Sequence, residues 1–149
     1  MGYTILFAED MPDDRIAVAD FLRTREHHVI EVVNPKQAME CLAEHKTGMV
    51  HIDIIILDLV MPEDNPKGGV QVLTFMQAEG IIVPTIIASA WGYDGPAREA
   101  EEACPDAVRR VMTKTFLPDE LLREIEDVLE QADASVDVGR ATEAKAAKG

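Results

Sequence analysis

The chain has 149 residues, of which 47% are apolar and 28% charged, a length that suits one domain and a balance that excludes wholesale disorder. Its 28 acidic residues outnumber 14 lysines and arginines, leaving a formal charge of −14. A field of that sign repels phosphate polyanions and excludes a direct nucleic-acid binder or an anionic-membrane binder.

Short apolar runs alternate with amphipathic stretches along the chain. Residues 3–7 form a β-type run that ends in Glu9-Asp10. Pro12-Asp13-Asp14 then opens a helix, where proline suits the first turn and carboxylates suit the positive end of the helix dipole. Its apolar stripe is Ala17, Val18, Phe21 and Leu22. Residues 28–33 read as a second strand, and Asn34-Pro35 caps and starts a helix with Ala38, Met39 and Leu42 on one face. Residues 52–59 are the strongest strand, nearly all aliphatic, as expected of a strand covered on both faces.

A loop rich in Pro, Asp, Asn and Gly spans residues 62–69, and Val70, Leu73 and Met76 mark a third helix. Residues 81–89 read as a fourth buried strand, with Pro84 near its start, where a missing N–H is tolerated. A turn at 92–95 precedes a helix over 97–104 whose apolar contacts are only Ala97, Ala100 and Ala103. Residues 108–112 are a fifth strand. Pro118 opens a last helix carrying Leu121, Leu122, Ile125, Val128 and Leu129 in helical register.

The pattern is βα repeated five times, which predicts an α/β fold: one doubly wound domain with a five-stranded parallel sheet and right-handed crossovers. The domain is expected over residues 1–131. Residues 132–149 are Ala-rich, without bulky apolar periodicity, and read as a helix extension or a disordered tail. Their charges cancel (Asp133, Asp137 and Glu143 against Arg140, Lys145 and Lys148), so the −14 belongs to the domain. Cys41 and Cys104 lie far apart with no metal-type spacing, which predicts two buried or half-buried thiols in a reducing compartment. No apolar run reaches the roughly 18 residues of a membrane span, and no signal-peptide pattern opens the chain. A cytoplasmic protein is expected.

In an open α/β sheet, ligands bind beyond the carboxyl ends of the strands. Strand one ends in Glu9-Asp10, strand three in Asp58, strand four in Ser89 and strand five in Lys114; only strand two brings nothing comparable. Three carboxylates meeting at one edge repel each other unless protonated or joined by a cation. An all-oxygen set with few ligands suits Mg²⁺. With Lys114 as a fixed positive charge and Ser89 as a hydroxyl donor, the edge becomes a site for a dianionic phosphoryl group beside a metal. Asp58 is then available as an oxygen nucleophile.

The strings ILFAED, IDIIILDLVMP, IIASA and VMTKTF resemble, in order and spacing, the receiver domain of two-component response regulators. The resemblance covers residues 3–131. It implies a flavodoxin-like fold with strand order 2-1-3-4-5 and a phosphoryl group taken by Asp58 from a histidine kinase or phosphotransfer protein. It further implies metal carboxylates from Asp10 and Asp58, a backbone carbonyl from Val60, and Glu9 holding the ion mainly through water. Lys114 would contact the phosphoryl oxygens, and Ser89 would swing to hydrogen-bond them. Asp53 matches a family position too, with strand-start hydrogen bonding as its expected work.

The chain departs from the family pattern at several points. Val111 stands where an aromatic switch residue is usual, leaving Trp91 as the nearest substitute. Thr115 follows the lysine in place of proline, so a trans peptide is expected, since a cis bond off proline costs about 2.5–4 kcal/mol. The loop after Asp58, with Glu63, Asp64, Asn65, Pro66 and Lys67, is two or three residues longer than is typical. Val60 and Trp91 flank the site without a group able to orient an attacking water, which predicts slow self-dephosphorylation. An aspartyl-phosphate phosphatase would need a second acid where Val60 stands. The full set Glu9, Asp10, Asp58, Ser89 and Lys114 argues against a receiver-like module that is never phosphorylated. No further domain is expected beyond the tail, so the signal is expected to pass to an unidentified protein across the face of the fourth helix, fifth strand and last helix.

Overall fold

The computed structural model describes residues 2–62, 64–90, 92 and 95–131, and strands alternate with helices throughout. In chain order they are β1 (Thr4–Ala8), α1 (Pro12–Thr24), β2 (His28–Val32), α2 (Pro35–Lys46), β3 (Ile54–Asp58), α3 (Gly68–Glu79), β4 (Thr85–Ser89), α4 (Pro96–Ala103) and β5 (Val108–Thr113), followed by α5 over residues 118–131. The strands form one parallel sheet in the order β2-β1-β3-β4-β5. This is the expected flavodoxin-like topology. Trp91, Glu63 and residues 132–149 lie outside the described residues, so the expectations placed on them do too.

Because side chains alternate across a strand, the aliphatic run of β3 feeds two cores. Ile54 and Ile56 face α1 and α5, joined by Ile5, Phe7, Ile86, Leu22, Leu121 and Ile125. Ile55 and Leu57 face α2, α3 and α4, with Leu6, Ile87, Leu42, Leu73 and Met76. All five β3 residues are buried, and each full burial of such a side chain contributes about 1.5–3 kcal/mol. β3 is therefore the spine to which both helical layers are fixed.

Local chemistry sets the helix ends. Asn34 Oδ1 accepts from Gln37 N at 2.8 Å, and Gln37 Oε1 accepts from Val33 N at 2.9 Å, so the α2 cap is reciprocal. Gly80, in the left-handed region at φ 68°, ends α3; there a side chain would be strained. Two expectations shift. In α1 the buried residues are Val18, Ala19 and Leu22 while Ala17 is exposed; a methyl group weighs little in fixing the phase of a stripe. β4 begins at Thr85, since residues 81–84 pair with no strand, Ile82 being 60% exposed, and the Pro84 carbonyl accepts from Ile55 N just ahead of it. α4 rests on the core through buried Ala97 and Ala100 with Ala103 partly buried against the same cluster, as expected. Cys41 and Cys104 are buried and free, and no described helix is long and apolar enough to cross a membrane.

Candidate phosphoryl and metal site

β1 and β3 are neighbours in register, Ala8 opposite Leu57, so Glu9 and Asp10 emerge beside Asp58. Asp58 pairs with Ala88, and Ser89 with Thr113, which brings Ser89 and Lys114 to the same rim. A cleft of about 320 Å³ opens there, lined by Asp10, Met11, Asp58, Leu59, Val60, Ser89, Ala90 and Lys114. Oxygens from Glu9, Asp10 and Asp58 lie within 4.8 Å of one another, a group that could hold a metal ion.

Glu9, Asp58 and Ser89 are buried at 3%, 6% and 2% exposure. Lys114 Nζ donates to Glu9 Oε1 at 2.6 Å and to Asp58 Oδ2 at 2.9 Å, so one amine bridges two carboxylates. Asp58 Oδ1 accepts from Val60 N at 3.2 Å. Glu9 Oε2 is buried with no protein partner. Burial, reinforced by the neighbouring Asp58, pushes the Glu9 carboxyl up to about 7 against the pull of Lys114. Burial lowers the Lys114 pKa, but its bonds to Glu9 and Asp58 more than reverse that, and the net direction is upward. Three acids against one amine leave the cluster short of positive charge. With an orphaned buried oxygen and an all-oxygen donor set, these residues fit a hard divalent cation.

Some sequence expectations land elsewhere. Asp53 sits at the opposite end of β3, where Oδ2 accepts from Thr4 N at 2.8 Å and Oδ1 meets His51 Nε2 at 2.9 Å; it works at the strand start, as expected. Val111 packs half-buried on the core, in a separate groove with Glu101, Arg109 and Arg110. The Lys114–Thr115 peptide is cis, against expectation. Lys114 is held at both ends, its N–H bonded to Ser89 O at 2.8 Å and its amine in the cluster, and these tertiary contacts override the intrinsic preference. The carboxylate partners of Lys114 and the contact of Arg15 Nη1 with Glu9 O at 3.2 Å have no counterpart in the sequence reading. The signal for the latter is a lone cation in the acidic first turn of α1.

A family model described as the response regulator receiver domain matches residues 5–126. Among solved structures, the Francisella response regulator 1452 receiver domain is 21% identical at TM-score 0.67, over 88% of this chain and 99% of that one. The receiver domain of sensor histidine kinase PA1611 from Pseudomonas aeruginosa PAO1, solved with magnesium coordinated in its active site cleft, is 22% identical at TM-score 0.71, over 87% of this chain and 99% of its own. The Vibrio cholerae chemotaxis protein CheY4 is 18% identical at TM-score 0.68, over 86% and 99%. At these identities the solved structures speak for the fold alone. A comparison with curated protein sequences finds no match.

Proposed function

Since the chain belongs to the response regulator receiver domain family, we propose that it is a phosphorylation-controlled signalling switch in which Asp58 accepts a phosphoryl group. The observation that carries this reading is the Asp58 carboxylate lining the cleft, with Lys114 Nζ 2.9 Å from Oδ2 and the unpartnered Glu9 Oε2 in the same acid cluster. A carboxylate beside a fixed amine and a vacant acidic oxygen is equipped to receive a phosphoryl group together with a cation.

The donor is the phosphohistidine of a histidine kinase or phosphotransfer protein. An Asp58 oxygen attacks phosphorus and forms the P–O bond as the P–N bond breaks, and the released imidazole nitrogen takes up a proton. Glu9, Asp10, Asp58 and the Val60 carbonyl would hold Mg²⁺, which would supply charge compensation for the carboxylate and the phosphoryl group. Lys114 shifts from sharing two carboxylates to donating to a phosphoryl oxygen. The Ser89 hydroxyl, at the end of β4, donates to another. Leu59, Val60 and Met11 give the cleft an apolar wall, and Val60 brings no side-chain group able to orient an attacking water, which favours a persistent acyl phosphate.

Output then runs through protein contacts of the 1–131 domain, on the face of α4, β5 and α5. The alanine-only anchoring of α4, through Ala97, Ala100 and Ala103, gives that helix little burial to resist repacking. The charge of −14 directs it to protein partners rather than nucleic acid, in the cytoplasm. The test is intact-mass analysis after treatment with acetyl phosphate and Mg²⁺. One phosphoryl adduct is expected on the native chain and none on Asp58→Ala; an adduct of equal yield on the variant, or none on either, contradicts the reading.

A further inference from the structure

Arg15 is the one cation in the first two turns of α1, next to Asp13 and Asp14, at the helix end where a positive charge is disfavoured. Its contacts explain its place. Arg15 Nε is 3.2 Å from Glu31 Oε1, and Nη1 donates to the Glu9 carbonyl at 3.2 Å. The side chain is only 16% exposed. The other Glu31 oxygen takes Arg23 Nη2 at 2.9 Å, and that nitrogen also donates to Val29 O at 2.9 Å. Glu31 lies on β2 opposite Phe7, two residues before Glu9.

The accepting group decides the meaning of this chain of contacts. The Glu9 carbonyl belongs to the peptide that joins Glu9 to Asp10, so its orientation sets the directions of both side chains. That segment is tied on its other side by Glu9 N–H donating to Val32 O at 3.1 Å. We infer that Arg15 is a positioning residue for the Glu9–Asp10 acid pair, itself oriented by Glu31. The inference rests on the divalent-cation reading of the cluster proposed above.

Charge and geometry predict opposite signs, which makes the inference testable. As a bare cation near a cation site, Arg15 would hinder Mg²⁺, and its removal would tighten binding. Its charge is already paired with Glu31, so its field at the cluster is small, and loss of orientation governs the outcome. Groups that orient metal ligands from outside are typically worth about tenfold or more in affinity.

The experiment is calorimetric titration of Mg²⁺ into the full native chain and into Arg15→Ala, Arg15→Lys, Arg23→Ala and Asp10→Asn, with metal-free thermal unfolding of each. Arg15→Ala should weaken Mg²⁺ about tenfold. Arg23→Ala also deprives Glu31 of a cation but touches no part of Glu9; it should lower thermal stability similarly and bind Mg²⁺ as the native chain does. Arg15→Lys keeps the charge and loses the planar fork; its affinity should fall between the two, and it provides the test if the alanine variant does not fold. Native or tighter binding by the Arg15 variants, or an equal loss in Arg23→Ala, overturns the inference while leaving the metal site standing. Absence of Mg²⁺ binding by the native chain, with Asp10→Asn indistinguishable from it, removes the metal reading and this inference with it.

Discussion

Lys114 Nζ and Glu9 Oε1 stand 2.6 Å apart although 105 residues separate them in sequence. The same amine reaches Asp58, so Lys114 occupies the place between carboxylates that a metal would otherwise claim. Lys114→Met should therefore destabilise the metal-free protein. Removing one partner of a fully buried pair costs about 3–5 kcal/mol, but Lys114 is 22% exposed and solvent screens part of that, so about 1–3 kcal/mol is expected. Urea unfolding in the presence of a chelator measures it. Mg²⁺ should bind this variant more tightly, because a competing cation has gone.

The raised Glu9 carboxyl gives a pH dependence of known sign. Its value rises from 4.5 to about 7 on folding, so between those values the folded chain holds a proton that the unfolded chain has released. The resulting stability is complete below 4.5 and is lost as pH rises through about 7. Metal-free thermal stability should fall across that window more steeply in the native protein than in Glu9→Gln. Mg²⁺ affinity should move the other way, increasing from about pH 6 to about pH 8 as Glu9 ionises.

Gly68, at the start of α3, has no room for a side chain: a Cβ there would sit 1.9 Å from Met61 O. Alanine is the better helix former by roughly 1 kcal/mol, whereas a forced shift of packed backbone costs about 1–3 kcal/mol. The second effect should win at so short a distance. Gly68→Ala is expected to be less stable by denaturant unfolding, and Mg²⁺ binding should weaken because the displaced backbone runs directly on from Val60.

Val60 lines the cleft two residues after Asp58 and brings no polar side chain to it. Val60→Asn should shorten the lifetime of the phosphorylated form by roughly tenfold, a modest return for a positioned polar group in hydrolysis. Timed loss of the adduct by mass spectrometry reads the change. Equal lifetimes would show that this position does not govern water attack.

The alternation of apolar runs and helical stripes suffices to predict one five-stranded parallel sheet, whose strand order the family resemblance supplies, and because strands end where apolar runs end, it also locates Asp10, Asp58, Ser89 and Lys114 at one rim. Asn34 is legible as a cap from its neighbours alone. The partners of Lys114 are not, because which carboxylate an amine meets depends on register across β1, β3 and β5, and no local pattern encodes register. Arg15 and Glu31 escape for the same reason: their contact is set by how α1 lies on the β2 edge. Residues 81–84 mislead because an apolar run looks the same in sequence whether or not a neighbouring strand pairs with it; Ile82, 60% exposed, marks the difference. The cis Lys114–Thr115 peptide defies a reading based on intrinsic preference, since Lys114 is held by contacts from the ends of three other strands.

The central claim is that Asp58, among the acids gathered at this rim, takes the phosphoryl group. Borohydride reduction of the acetyl phosphate-treated protein, followed by peptide mapping, identifies the acceptor directly, because an acyl phosphate on aspartate is reduced to homoserine. Homoserine at position 58, and unmodified aspartate at Asp10 and Asp53, is the predicted result. Homoserine at Asp10 or at Asp53, with Asp58 intact, would contradict the account.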